Sequence, residues 1–599
     1  MKLTGGEIVA ESLIAAGVPY VAGIPGHGCL GLTDAFVARR DKLRVLNVRQ
    51  ENAAVHLADG YYRTCGRPLA AFTSIGPGAC NTVIGAATAY VDSTAVLILT
   101  GGTHVHMFGK GVLQEVERRR SSDFLKVLEP VVKRSWEAMD VRQLPFIMRH
   151  AFATMLTGRR GPVHVELPMC VQCEAADVAA GDLSPRVLEQ RPSPDAQAVE
   201  QAAELLLSAK RPVILAGGGA LYADAAPELR ALAEHLGAAV LTTLAGKGVF
   251  PETHPLSGWL TGSKGTTIGL QLSRNADVIL AVGCRFADET TCSYRRGIAF
   301  GIPPTKLTHL DLQPEEVGKN YPVEVGLVGD AKAGLAALLD AAQDRRPEPA
   351  ADNAYTRQIA ALREAWWAEC AATRASDAVP VTMSRFLAEA RAAIPMDAIV
   401  ASSSGNTQAQ ILQEFPFEAP RTCLTTGGFS TMGWTLPAAM GARLAAPDRT
   451  VCGILGDGDF LMAVQELATA VQHQIPVTMI VANNQGFISI KDLQRAVYGE
   501  DRTIASDFAQ PDGTVVSPHL ADVARAFGCH AERVEQPAEV GPAIRRALQS
   551  GSPAVVEVMV DREPPASGGA AYGWWDVPVP TYLPEQRARY EAGRAEEAL

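Results

Sequence analysis

Two glycine-rich stretches carry residues whose types and spacing could do chemistry. The first begins in "TVCGILGDGDF", where an apolar strand-like run ends in Gly456-Asp457-Gly458. A helical run, "LMAVQELATAVQHQ", follows, and a second strand-like run, "PVTMIVANN", ends in Asn483-Asn484 with Gly486 close behind. One strand–helix–strand unit thus separates Asp457 from Asn484. That places both at the carboxyl ends of neighbouring parallel strands, where open α/β sheets bind ligands. A carboxylate, a side-chain amide and the backbone carbonyl of Gly486 are hard oxygen ligands suited to Mg²⁺ or Ca²⁺. The glycines let backbone approach closely, and the following helix offers its N-terminal N–H groups to an anion. Either half alone reads equally well as a tight turn; the pair predicts a metal-bound diphosphate.

The second stretch is "GIPGHGCLG", in which Gly26, Gly28 and Gly31 spell G-x-G-x-x-G and an acidic residue, Glu51, follows at the distance of a dinucleotide fingerprint. Spacing alone leaves an NAD- or flavin-binding oxidoreductase open. Glu51 by itself also reads as a helix-initiating acid favoured by the dipole before "NAAVHLADG".

These residues need parallel sheets to hold them, and the chain has the pattern for three. At 599 residues it exceeds a single core. Apolar strand-like runs alternate with helical patterns over 1–175, 195–345 and 380–560, separated by a Pro-rich linker and a helix containing "EAWWAEC". The expected fold is α/β, three doubly wound parallel-sheet domains, followed by a Pro/Gly-rich tail over 561–599. A hydrophobic content of 47% with 20% charged residues is that of a globular chain. The net charge of −11, from 54 basic and 65 acidic residues, speaks against nucleic acid as a partner. No apolar run reaches the roughly 18–20 residues that span a bilayer, and Glu7 and Glu11 interrupt the N-terminal apolar pattern, so no membrane association and a cytoplasmic location are expected. Eleven scattered cysteines read as reduced thiols, and the Cys170/Cys173 pair has no second pair or histidine pair at metal-site spacing.

The GDG and NN-x-G pair resembles the metal–diphosphate motif of thiamine diphosphate enzymes, and further stretches resemble the acetolactate-synthase-like branch of that family. "VRQENAAVHLADGYYRTCGRP" is similar to the segment carrying the catalytic glutamate, which maps to Glu51; "AFTSIGPGACNTVIGAATAYVDSTAVLILTG" is similar to the Gly-Pro-Gly segment after it. "LTTGGFSTMGWTLPAAMGA" resembles the segment whose bulky apolar residue, here Met432, props the cofactor into a bent shape. "GKGVFPETHPLSG" and "VGCRFADET" match the central domain. The resemblance covers residues 5–560 and settles the opening ambiguity: it implies that Glu51 faces a pyrimidine and not a ribose.

The resemblance implies a pyrimidine-binding, a central and a diphosphate-binding domain, with thiamine diphosphate and Mg²⁺ as cofactors and FAD as a possible third. Asp457, Asn484 and Gly486 would ligate the metal. Cofactor contacts would come from Pro25, Gly26, Gly76 and Asn81 on the first domain and from Ser430 and Met432 on the third. Gly456, Gly458, Asp459, Phe487 and Ile488 would complete the third domain's share, and Arg285 would meet FAD in the central one. Glu51, hydrogen-bonded to the pyrimidine, would promote its imino form, a role that asks for a largely buried carboxylate. His27 and Gln114 would stand beside the reacting centre, with Lys491 a proton donor or anion contact and Lys133 a weaker match.

A homodimer or tetramer with sites between subunits is implied, acting on a small-molecule 2-oxo acid or related carbonyl donor. The chain departs from the family after Gly486: Phe487 to Lys491 contain neither the glutamate of several decarboxylases nor the Met-Val-x-Gln-Trp pattern of acetohydroxyacid synthases. "TSIGPGACN", "VLQEVE" and "YGWWDVP" resemble, more loosely, cyclic 1,2-dione hydrolases, and the tail with Trp574, Trp575 and Tyr582 resembles the lid of 2-hydroxyacyl-CoA lyases. Hydrolysis of a dione and acyl-CoA cleavage therefore stand as alternatives.

Overall fold

The alternating runs form three six-stranded sheets, each parallel throughout, in a computed structural model that describes residues 1–116, 123–185, 187, 190–562 and 576–595. Strands such as Val278–Val282 and Thr478–Asn483 are buried along their whole length, as strands covered by helices on both faces must be.

The first sheet runs, in spatial order, Arg44–Asn47, Tyr20–Gly23, Ala70–Thr73, Leu97–Gly102, Val163–Pro168, Ser135–Glu137. The third runs Cys423–Thr425, Ile399–Ser402, Val451–Gly456, Thr478–Asn483, Ala554–Met559, His530–Val534. Counted along the chain, both have the order 2-1-3-4-6-5. The central sheet differs: Ser257–Leu260, Ala239–Thr242, Pro212–Ala216, Val278–Val282, Lys306–Asp311, Val325–Val328, which is 3-2-1-4-5-6, the order of dinucleotide-binding domains. The dinucleotide topology therefore lies in the central unit, not in the one that carries the G-x-G-x-x-G.

The first and third units are docked chiefly through one helix crossing. Helix Glu51–Cys65 packs on helix Thr435–Ala445 closely enough that both need a glycine at the contact. A Cβ on Gly60 would lie 2.2 Å from the Ala438 carbonyl oxygen, and one on Gly441 would lie 1.9 Å from that of Leu57. Beside the crossing, Arg63 donates to Asp59 (3.0 Å), to Asp92 (2.9 Å) and to the Thr425 carbonyl (2.6 Å), and Trp434 Nε1 donates to Asp59 (2.7 Å). All four side chains are buried, so each charge is met by a partner, as burial requires.

The described part of the tail docks Val579, Leu583 and Tyr590 against Val497 and Tyr498 of helix Ile488–Tyr498, while Tyr582 is exposed. Trp574 and Trp575 lie outside the described residues. Among the described residues no helix is long and apolar enough to cross a membrane.

Gly441→Val drives three extra carbons against the Leu57 backbone, and overpacking of this kind costs about 1–3 kcal/mol. A urea titration followed by tryptophan fluorescence reads the loss, which Ala442→Gly, beside the crossing and without the clash, does not reproduce to that extent.

Candidate active site

In the first and third sheets the order reverses between the first and third strands of each unit, and the candidate residues cluster at the carboxyl ends of those strands. In the third unit, Val451–Gly456 leads directly into helix Asp457–Ala463, with extended Gly456 before it. Asp457 is 1% exposed. Its Oδ1 accepts from the Gly458 amide at 2.8 Å, whereas its Oδ2 has no hydrogen-bond partner. Burial pushes the Asp457 carboxyl up to about 6, against the pull of the Gly458, Gln485 and Gly486 amides.

At the end of the neighbouring strand, the two asparagines divide their work. Asn483 donates to the buried Glu557 (2.7 Å) and accepts from the Gln485 amide (3.1 Å), so it is consumed by the fold. Asn484 Oδ1 is buried without a partner. Two orphaned oxygens on adjacent strand ends, one anionic and one amide, are what a hard divalent cation would satisfy, and leaving them bare costs about 1–3 kcal/mol each. The donor set fits Mg²⁺ and the expected ligands Asp457 and Asn484, with Gly486 next in the same turn.

Several of the surrounding residues meet one another at the Asp457 turn. A Cβ on Gly458 would lie 2.7 Å from the Phe487 ring and 3.2 Å from Met432 Cε, so only glycine lets these two side chains close over the Asp457 turn. Phe487 stacks edge-on against Phe508 at 5.1 Å, and Ile488 is buried below it. Ser430 takes φ 58° and its hydroxyl lies 2.8 Å from that of Ser404.

Two expectations change. Asp459 is buried and fully engaged by Ser403 (2.6 Å), Thr435 (2.5 Å) and the Gly433 amide (2.5 Å), so it braces the Met432 segment and presents no oxygen to a cofactor. Lys491 Nζ sits 3.0 Å from both oxygens of Asp507, which Arg562 also pairs; this fixes the ammonium as one corner of an ion-pair cluster rather than as a loose proton donor.

In the first unit, Gly76 takes φ 58°, and a Cβ there would lie 1.7 Å from the Gln114 carbonyl oxygen, which brings the Gly-Pro-Gly segment and Gln114 together. Gln114 itself has φ 68° and an exposed side chain. Glu51 begins its helix and accepts from Asn81 Nδ2 at 2.8 Å; Gly78 admits its other oxygen. Within this chain Glu51 is half-buried, less covered than its assigned role asks.

The G-x-G-x-x-G turn is committed to protein. Gly28 N donates to Ser74 (3.1 Å), the Gly28 carbonyl accepts from Gln172 (2.7 Å), and Gly31 is backed by Gln172 and Cys173. A turn packed this way has spent the amide a pyrophosphate would need, which removes the fingerprint reading. Pro25 and His27 are exposed at its tip. Lys133 donates to the Thr154 (2.5 Å) and Thr157 (2.9 Å) carbonyls, and burial pushes it down to about 8; it caps a helix and serves no site. All eleven cysteines are unbridged, and no cluster of three metal-ligating His, Cys, Asp or Glu side chains occurs among the described residues.

Three family models match in register with the three sheets: the N-terminal thiamine pyrophosphate binding domain over 3–121, the central domain over 199–338 and the C-terminal thiamine pyrophosphate binding domain over 403–558. The chain is 32% identical over 572 residues to a probable acetolactate synthase large subunit of Methanocaldococcus jannaschii, covering 93% of this chain and 92% of that one. The chain belongs to the thiamine pyrophosphate enzymes, in their acetolactate-synthase-like branch. The acetolactate synthase large subunit of Corynebacterium glutamicum is 33% identical over 94% of this chain and 87% of its own length. For the isozyme 3 large subunit of Escherichia coli the figures are 32%, 91% and 92%.

In this thiamine pyrophosphate enzyme, a further cavity lies at the switch point of the central sheet. It measures about 1300 Å³ and is lined by Gly218, Gly283, Arg285 and Asp311, with Arg159 reaching in from the first unit. Arg285, the residue the resemblance assigned to FAD, lines this cavity. The contribution of Arg159 was not legible, because nothing near it in the chain marks it.

Asp457→Ala removes the one anionic oxygen at the metal site. Calorimetric titration with thiamine diphosphate and Mg²⁺ is expected to show binding weakened by at least about 100-fold, since a buried charged contact is worth about 1.5–3 kcal/mol and the metal it holds is lost with it. Tight binding by the variant would overturn the metal assignment.

Proposed function

We propose that the chain is a thiamine diphosphate- and Mg²⁺-dependent lyase or carboligase that acts on a 2-oxo acid or related carbonyl donor, with each active site assembled between two subunits of a homo-oligomer. The observation that carries the cofactor assignment is the pair of buried, unpartnered oxygens on Asp457 and Asn484. When bound, the thiazolium supplies the electron sink that cleavage of a C–C bond beside a carbonyl needs and no side chain provides.

The residues of the chain supply the rest. Asp457, Asn484 and Gly486 would hold the metal and, through it, the diphosphate; the N-terminus of helix Asp457–Ala463 adds its amides. Met432, Phe487 and Ile488 form an apolar wall that orients the cofactor and keeps water from it. Glu51, oriented by Asn81, would hold and return a proton at its carboxylate. No hydrogen bond or close contact among the described residues joins the Glu51–Gly76–Asn81 cluster to the Asp457–Asn484 cluster of the same chain. Each half-site lies at the switch point of its own sheet, which supports completion by a partner subunit and covering of Glu51 there. The same arrangement leaves Lys491, tethered to Asp507, as an anion contact near the mouth. The central cavity exceeds the usual 300–1000 Å³ of small-ligand sites, and its strand order and Arg285 support FAD as its occupant.

With thiamine diphosphate and Mg²⁺ added, pyruvate or 2-oxobutyrate is expected to be consumed with release of CO₂ and formation of a 2-hydroxy-2-alkyl-3-oxo acid, read by mass spectrometry. Ring-opened acid from 1,2-cyclohexanedione, or a fragment from a short 2-hydroxyacyl-CoA, with both 2-oxo acids untouched, would overturn the substrate class. Glu51→Gln is expected to keep cofactor binding and lose about 10²–10⁴-fold in turnover, the usual worth of a positioned acid–base group.

A further inference from the structure

Glu466 is a carboxylate that the proposed chemistry leaves unused. It opens helix Glu466–His473, directly after helix Asp457–Ala463 that carries the metal ligand, and its side chain is 0% exposed. No arginine or lysine side chain forms a salt bridge with it among the described residues. Instead both its oxygens face the amide of Arg49, at 3.1 and 3.2 Å, and one accepts from Thr469 Oγ1 at 2.7 Å. The Gln50 amide also bears on it.

Arg49 and Gln50 are the two residues before Glu51, and Gln50 caps the helix that Glu51 begins. Neighbours reinforce the same corner. His473 Nε2 accepts from the Asn47 amide at 2.9 Å, the Arg44 guanidinium donates to the His473 carbonyl at 2.8 Å, and Gln472 accepts from the Arg49 side chain at 2.5 Å. The loop from Arg44 to Gln50 thus rests along one face of helix Glu466–His473, with Glu466 its only deeply buried anchor among these contacts.

A buried carboxylate held by backbone amides and a hydroxyl, with the Arg49 charge a lesser contribution, costs the fold desolvation, and such a group persists where it fixes a conformation. We propose that Glu466 is a positioning residue for Glu51: by holding the Arg49–Gln50 backbone it sets where the Glu51 carboxylate stands. The segment that anchors metal and diphosphate and the segment that aims the proton-relay acid are thereby one mechanical unit within each chain. This rests on the thiamine diphosphate reading of the site.

The test uses the full-length protein with thiamine diphosphate and Mg²⁺ and two readouts: deuterium exchange of the cofactor's C2 proton, by quenched-flow NMR, and amide exchange over residues 44–52 by mass spectrometry. Glu466→Asp draws the carboxylate back by one methylene and Glu466→Ala removes it. Both are expected to slow C2 exchange by about 10- to 100-fold, the loss typical of a misplacement of about 1 Å, and to raise amide exchange over 44–52. Cofactor affinity should stay within about threefold, because the metal ligands are untouched. Glu466→Gln keeps an acceptor for the Arg49 amide and is expected to restore most of the rate. Should Glu466→Ala fail to fold, Glu466→Asp decides alone.

Wild-type C2 exchange in Glu466→Asp, or no rescue by Glu466→Gln, overturns the positioning role. Failure of the underlying reading looks different: the wild-type protein would not bind the cofactor, or Glu51→Gln would exchange C2 at the full rate.

Discussion

The crossing of helices Glu51–Cys65 and Thr435–Ala445 is the contact on which the rest depends. One helix begins with the proposed proton-relay acid; the other follows within three residues of Met432, the proposed cofactor prop. Glycines at 60 and 441 bring the axes so close that backbone meets backbone, and the Asp59–Arg63–Asp92 network with Trp434 locks the rotation. A looser crossing would move Glu51 relative to its sheet and Met432 relative to Asp457 together.

Two units with one strand order and a third with another give the molecule its division of labour. The first and third present different residues at their switch points, one an acid and tight glycine turns, the other orphaned oxygens and an apolar wall. Glu51 is half-covered, and Asp457 Oδ2 and Asn484 Oδ1 have no hydrogen-bond partner among the described residues. The central unit keeps the dinucleotide order and the large arginine-lined cavity. A fold can thus repeat an α/β architecture three times and give each copy different chemistry through the residues at its strand ends.

Much of the candidate site was legible because it is local. Asp457 and Asn484 are brought together by a single strand–helix–strand unit, whose geometry any parallel sheet imposes. The three α/β blocks were legible for the same reason, since each strand announces itself by a short apolar run. The surroundings that were not legible are those set by distant partners. Asp459 sits in the same turn as Asp457, yet Ser403, Gly433 and Thr435 take its oxygens. Lys491 gains Asp507 and Arg562 as neighbours, and Lys133 gains two carbonyls at the end of a helix.

By itself the sequence determined the α/β class, the three-block order, the pairing of the Asp457 and Asn484 strand ends and the family. Period-two and helical patterns and nearest-strand spacing are fixed by bond geometry over a few tens of residues. Only the tertiary structure decided that the Gly26–Gly31 turn is packed against Ser74 and Gln172, while the turn at Asp457 keeps an unpartnered buried oxygen. It also decided that Arg159 reaches the central cavity and that Glu466 grips the backbone before Glu51. Those outcomes join positions from 46 to 417 residues apart, and no local rule relates two such positions until the elements that carry them have packed.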